Sequence, residues 1–334
     1  MHWGEDLDAY LYLPTKFILH DHINGFDQQL NCQVLQLLDN AAKKLGRHYS
    51  ITYHQLLPDT VKQYTNLTFS FDPELHDMYN LSLHLGSKDV VPSNQCKFDN
   101  FVCSLNGFPH LSRQLLVSAL NKFQWFDEKY STKNFELRYD YVADLLKQYL
   151  SDDEQQLYLD SLLGNTESSS FYSTIVNFYF YQRNEGSANL ANNLRLLSRR
   201  MQPSFINIVA ETHGTSYWPF VTEKFLEPIV TKNLFLTYSQ PGHNQQIKDL
   251  YGFKPYSLFD YSFDREPNPV KRLYQLLNML KKYESLSLLD WHDLYMLEKD
   301  TVDYNYDHYF SRDYYKVLEK TTVDTLHTTL YTTN

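Results

Sequence analysis

The sequence predicts an α/β protein made of two parallel-sheet domains, and three observations lead there. A chain of 334 residues exceeds the size at which one core usually stops growing. Within residues 17–54 a strand-like run, a helix-like run and a second strand-like run follow one another, which is the pattern of a β-α-β unit. Strand-like and helix-like runs then alternate throughout 98–283, and such alternation means a parallel sheet covered on both faces.

In the N-terminal part, Phe17 to His20 reads as a strand and Asp21 to Asp27 as a polar loop. Leu30, Val34, Leu37, Leu38, Ala41 and Leu45 recur at helical spacing, and Ser50 to His54 returns as a strand. Prolines interrupt 55–95, where Tyr79 to Leu85 is a further candidate strand, and the domain boundary falls near Pro92 to Cys96. A compact strand at Phe101 to Leu105 then leads through a turn to a helix carrying Leu115, Leu116, Ala119, Leu120 and Phe123 on one face. Helical periodicity covers 136–150, and 151–170 reads as an acidic, then Ser-rich connection. Phe171 to Tyr181 fits a strand or a helix equally. A helix through Leu190, Leu194, Leu197 and Met201 precedes a strand at Phe205 to Ala210, and Asn233 to Tyr238 is the next strand. A short helix ends at Gly252, a residue suited to a left-handed stop. The clearest amphipathic helix runs from Val270 to Tyr283. The predicted division is 1–95, 96–285 and 286–334, the last being helices that pack back over the domains and a Thr-rich end.

Composition narrows the chemistry. The formal charge is −10, which disfavours sequence-independent attachment to nucleic acid or an anionic membrane. No run approaches the ~20 apolar residues of a membrane span, and the N-terminus lacks a signal-peptide pattern. Three cysteines, Cys32, Cys96 and Cys103, have no metal-knuckle spacing, so reduced thiols in a cytoplasm are expected. With 10 glycines and no G-x-G-x-x-G or Walker pattern, any phosphate is held by side chains and helix ends. Asp6-Leu-Asp8 and His20-Asp21-His22 are weak metal motifs, and no metal or other cofactor is expected.

The stretch Glu211 to Lys224 joins a buried strand to a helix that Thr222 can cap, with Glu223 and Lys224 in its first turn. A loop leaving a strand's carboxyl end for a helix N-terminus is where phosphorylated ligands bind in open α/β sheets. There Lys224 suits a diphosphate and Glu223 a ribose. Arg113 occupies the first turn of an earlier helix. A cation there opposes the helix dipole, by about 0.3–1 kcal/mol when exposed, and an anionic ligand is one explanation for it. Both stretches also allow ordinary caps and solvated ion pairs.

Lys97-Phe98-Asp-Asn-Phe101-Val-Cys-Ser104-Leu-Asn106 with Arg113, followed by Glu211 and Thr222-Glu223-Lys224, resembles the sugar-donor domain of alpha-1,3-fucosyltransferases over roughly 96–260. Together with Gly252-Phe253 and Asp260-x-x-x-Asp264, the same pairing is similar to glycosyltransferase-like proteins of bacteriophages and bacteria. The resemblance implies a B-type glycosyltransferase: two Rossmann-like domains facing across a cleft, the acceptor side N-terminal and the nucleotide-sugar side C-terminal. It implies that Arg113 and Lys224 neutralise the diphosphate, that Glu223 holds the ribose and that Glu211 lines the sugar-donor pocket. Thr212 and His213 replace the family's Asn and Ser, so fucose is not implied. The transfer would be inverting and metal-independent, with a base from the N-terminal domain. Asp21 and His22 are the first candidates, and Glu74, His76 and His84 stand behind them.

The acceptor is a glycan or the hydroxymethylated base of phage DNA, in the host cytoplasm if the chain is phage-encoded. Lys43, Lys44, Arg47 and Arg199-Arg200 are the basic residues available to DNA, although such residues commonly form a solvated face. The alternative is a non-catalytic binding or structural module on the same fold, for which the Tyr-rich C-terminus offers a surface. No nucleophile elbow supports a hydrolase.

Overall fold

The computed structural model describes residues 16–19, 28–53, 63–71, 97–107, 110–133, 137, 139–163, 197–211, 223–311 and 313. It is a mixed α/β structure in which all the described strands pair in parallel.

The N-terminal sheet contains β1 (Lys16–Leu19), β2 (Tyr49–Tyr53) and β3 (Leu67–Phe71), in that order. Helix α1 (Gln28–Leu45) joins β1 to β2 and buries Leu35, Leu38, Ala41 and Ala42. It stops where Gly46 takes φ 59°, a left-handed conformation that costs an L-residue about 1–2 kcal/mol and glycine little. Asp39 of α1 accepts hydrogen bonds from the backbone and side-chain amides of Asn66, at 2.8 and 3.2 Å, and so ties the helix to the start of β3. Strand β3 adds to the sequence reading. Leu67-Thr-Phe-Ser-Phe71 alternates apolar and polar residues, a strand signal that surrounding prolines obscure. The candidate strand at Tyr79 to Leu85 and the boundary near Pro92 to Cys96 lie outside the described residues.

In the C-terminal part, β4 (Asn100–Cys103) continues after Ser104 as β5 (Leu105–Asn106). β5 pairs with β6 (Thr132–Lys133), β4 with β7 (Ser204–Ala210), and β7 with β8 (Leu234–Tyr238). The described strands thus stand in the order β6, β4/β5, β7, β8. Since β6 comes second along the chain, the order reverses between β4/β5 and β7. Ser104 marks the bend: its amide donates to Ser131 Oγ at 3.0 Å and its hydroxyl to the Ile208 carbonyl at 2.9 Å.

Helix α2 (Leu111–Lys122) follows β5 and is buried continuously from Ser112 to Leu120, not along one face as its apolar spacing predicts. It packs on the sheet and is itself covered by α3 (Tyr139–Tyr149) and α4 (Asp152–Leu162). Helix α4 corrects the reading of 151–162 as a connection. Asp152, Asp153 and Glu154 occupy its first turn, where carboxylates favour the helix dipole, and Glu154 accepts from the Ser151 amide at 3.2 Å. Phe171 to Tyr181 and most of the helix expected before β7 lie outside the described residues, whose helical turn at 197–201 leads into β7.

Beyond β7 the chain forms a 3-10 turn, Glu223–Phe225, and a short helix α5 (Leu226–Val230) before β8. Helix α6 (His243–Tyr251) is bracketed by Gly242 (φ 78°) and Gly252 (φ 76°), the second being the expected stop. Asn268 caps α7 (Pro269–Glu284), which buries Leu273, Leu276, Leu277 and Leu280. A Ser287–Asp290 capping box opens α8 (Leu288–Leu297). Helix α9 (Lys299–Phe310) runs through Asp303 to Asp307.

These last helices pack back onto the C-terminal sheet. Trp291 stacks on Phe101 and Phe205, at 5.5 and 5.7 Å between centroids. Asn305 accepts from the Lys254 amide at 2.8 Å and donates to the Lys254 carbonyl at 2.9 Å, imitating a strand partner. Among the described residues no helix is long and apolar enough to cross a membrane.

Candidate functional site

Parallel strands deliver their following loops to one edge of the sheet. Here the carboxyl ends of β5, β7 and β8 lead to Gly107, to Glu211 and to Ser239-Gln240. In open α/β sheets, ligands bind where the strand order reverses, in the crevice outside these ends. That place lies between β4/β5 and β7, and Arg113 reaches it. Only 2% of Arg113 is exposed, and its Nε donates to the carbonyl of Ala210, the last residue of β7, at 3.3 Å. The first turn of α2 has no acidic residue, and its N-cap, His110, makes no side-chain capping bond. The structure therefore brings Arg113 and the Ala210–Glu211 corner together across 97 residues of sequence.

Glu211 is fully buried, and its amide donates to the Tyr238 carbonyl at 3.2 Å, carrying the β7–β8 ladder one residue past the strand. His243, also fully buried, places Nε2 at 3.7 Å from Glu211 Oε1 and Nδ1 at 3.0 Å from Thr237 Oγ1. Thr237 Oγ1 donates to Asn244 Oδ1 at 2.7 Å. Asn244 Nδ2 donates to the Thr237 carbonyl at 3.1 Å and to Asp264 Oδ1 at 2.8 Å. Burial first, and then the charge of Glu211, push the Tyr251 phenol well above its ordinary range. His243 is not among the candidate residues named from the sequence. The available signal was positional, because it follows β8 at the same edge as Glu211.

The Asp260-x-x-x-Asp264 pair serves structure. Asp264 accepts from the amides of Asn244 (3.2 Å) and Gln245 (3.1 Å), capping α6 from outside the helix. Asp260 caps the 3-10 turn Tyr261–Arg265 through the Ser262 amide at 2.9 Å.

Lys224 is half-buried and lines a cavity of about 30 Å³ with Cys103, Leu105, Asn207, Val209 and Glu227. Arg113 is not among the described residues that line it. The cavity lies against β4/β5 and β7, the same two strands that flank the reversal. Asn207, 3% exposed, has neither amide atom hydrogen-bonded there. Cys103 donates its thiol to the Tyr130 carbonyl at 3.1 Å, and burial pushes its pKa far up, which disfavours the thiolate.

Thr222, Asp21 and His22 lie outside the described residues, as do Glu74, His76, His84 and Asp6 to Asp8; Glu223 is described only in its backbone. Glu223 and Lys224 open a 3-10 turn instead of the predicted α-helix, and the α-helix behind them has five residues. Among the basic residues considered for DNA, Arg200 donates to the carbonyls of Glu128 (2.8 Å) and Ser131 (3.2 Å), fastening the segment before β6. Lys43, Lys44, Arg47 and Arg199 are exposed. Among the described residues no group of three or more His, Cys, Asp or Glu side chains is arranged to hold a metal ion. No family model, curated protein or solved structure matches the chain.

Proposed function

We propose that the protein is a nucleotide-sugar-dependent glycosyltransferase with two Rossmann-like domains facing across a cleft. It moves a sugar to a hydroxyl of a glycan or of a hydroxymethylated DNA base. The observation that carries the reading is Arg113, a buried cation in the first turn of α2, set against the end of β7 where the strand order reverses. An anionic diphosphate at this point would meet both this cation and the positive end of α2. Lys224, beside the same pair of strands, would supply a second positive charge.

In the reaction the acceptor oxygen attacks the anomeric carbon as its bond to the diphosphate oxygen breaks. The acceptor proton passes to a base, for which Asp21 and His22 are the candidates, and the nucleoside diphosphate leaves with the bond electrons. Preorganised cations stabilise the charge developing on that leaving group, and no metal is required for this step. Thr222 and Glu223 would complete the sugar-donor side, with Glu223 on the ribose and Glu211 along the pocket.

Thermal-shift measurements with UDP-, GDP-, CMP- and dTDP-sugars test the reading. One of them should raise the melting temperature, and Lys224→Ala should diminish that shift. No shift with any of them, or an undiminished shift in Lys224→Ala, favours a non-catalytic module. If DNA is the acceptor, transfer should fall steeply with salt; transfer to a glycan should not.

A further inference from the structure

Asn207 is the fourth residue of β7 and stands opposite Cys103 of β4 and Phe235 of β8, within the sheet and beside the reversal of strand order. Its chain neighbours are Ile206 and Ile208. A carboxamide at such a position has to be hydrogen-bonded, or its burial opposes folding. The other buried asparagines among the described residues meet that demand at least in part. Asn106 donates to Ser104 Oγ at 3.1 Å, Asn233 donates to the Met201 carbonyl at 3.0 Å, and Asn305 serves both the amide and the carbonyl of Lys254. Asn207 differs: it is 3% exposed, and neither Oδ1 nor Nδ2 has a hydrogen-bond partner in the protein.

The carboxamide lines the cavity of about 30 Å³ together with Lys224 and Glu227, and Leu105, Val209 and Pro228 give it apolar walls. A water takes about 10–15 Å³ of such space and settles where it finds polar partners, so the cavity has room for about two. That matches the two unmade ends of the carboxamide. An apolar occupant would leave both of them unmade.

We propose that this cavity is a binding site for two hydroxyl-sized groups, one accepting from Asn207 Nδ2 and the other donating to Asn207 Oδ1. The chemistry is that of the O–H group, which both gives and accepts hydrogen bonds. Its source is solvent water or the hydroxyls of a bound sugar. The second source rests on the glycosyltransferase reading, through Lys224 at the same cavity; the first is independent of it.

Two measurements on the full chain test the site. Valine is close to asparagine in size and suits a buried strand, so Asn207→Val isolates the hydrogen bonds. Losing the bonds to the bound groups should raise the unfolding constant, read by chemical denaturation, about tenfold. In a dry cavity the same substitution removes two unmade hydrogen bonds and relieves the protein, so an unchanged or lowered constant overturns the proposal. If Asn207→Val does not fold, a crystal structure of the wild type still decides. Oxygen density within hydrogen-bond distance of both carboxamide ends is expected; a cavity without it, or an Asn207 bonded to protein atoms, overturns the proposal. Crystals grown with and without the nucleotide sugar that gives the thermal shift separate the two sources. Density that is the same in both is water, and density continuous with the sugar is a ligand hydroxyl. If no nucleotide sugar binds while the density and the Asn207→Val result hold, the glycosyltransferase reading fails and the water site stands.

Discussion

The ends of β7 and β8 are each held by a buried arginine, and the two are used differently. Arg272 of α7 is 1% exposed, donates Nε to the Ser239 carbonyl at 2.7 Å, and directs Nη1 to the carbonyls of Glu266 and Pro267. It gathers the loop after β8 and the turn before α7 around one guanidinium. Arg113 is as deeply buried, yet its Nε bond to Ala210 is 3.3 Å long and lies at the reversal of strand order. Burial of an arginine at a strand end therefore does not by itself mark a ligand site. What separates the two is where each lies relative to the reversal of strand order.

Paired substitutions sharpen or break this contrast. Arg272→Met should cause the largest loss, about 3–5 kcal/mol by chemical denaturation, because three carbonyls lose a charged donor at a buried position. Arg113→Met should cost about 1–2 kcal/mol of stability but lower nucleotide-sugar affinity about 30- to 100-fold, the scale of two charge-assisted hydrogen bonds, as read by calorimetry. Equal stability losses, with no effect on ligand affinity, would make Arg113 a second Arg272. Asp264→Asn should cost about 1–2 kcal/mol and accelerate amide exchange in the first turn of α6, since an amide cannot accept at both oxygens' positions. The smallest effect belongs to Gly242→Ala, about 1 kcal/mol by thermal melting. Its added methyl meets no atom within 4 Å, so only the φ of 78° opposes it.

Much of the C-terminal fold was legible in the sequence because its signals are local. Phe205 to Ala210 and the run from Asn233 to Tyr238 are short, apolar and bounded by polar residues, Gly252 stops α6, and Asn268-Pro269 starts α7. What was misread shows where local signals compete. The acidic residues that make 152–154 look like a loop stabilise the first turn of α4. The polar alternation that defines β3 lies in a segment broken up by proline. Of the candidate site, Arg113 and Glu211 could be named from their positions after strands. Their neighbours could not: the Ala210 carbonyl lies 97 residues from Arg113, and the bonds from His243 to Asp264 run through Thr237 and Asn244. Such partners are fixed by the order of strands in the sheet, which no local pattern encodes.

The stacking of Trp291 on Phe101 and Phe205 sets a timetable for synthesis on the ribosome. The N-terminal sheet has all three described strands by residue 71. Strand β4 must wait about a hundred residues for β7, and the aromatic face they share gains its Trp291 cover only when α8 emerges another eighty residues later. Long-range parallel pairing folds slowly and leaves apolar surface open to wrong partners in the meantime. A nascent chain halted between β7 and α8 should therefore be the form most readily captured by chaperones, and release of α8 from the exit tunnel should end that exposure.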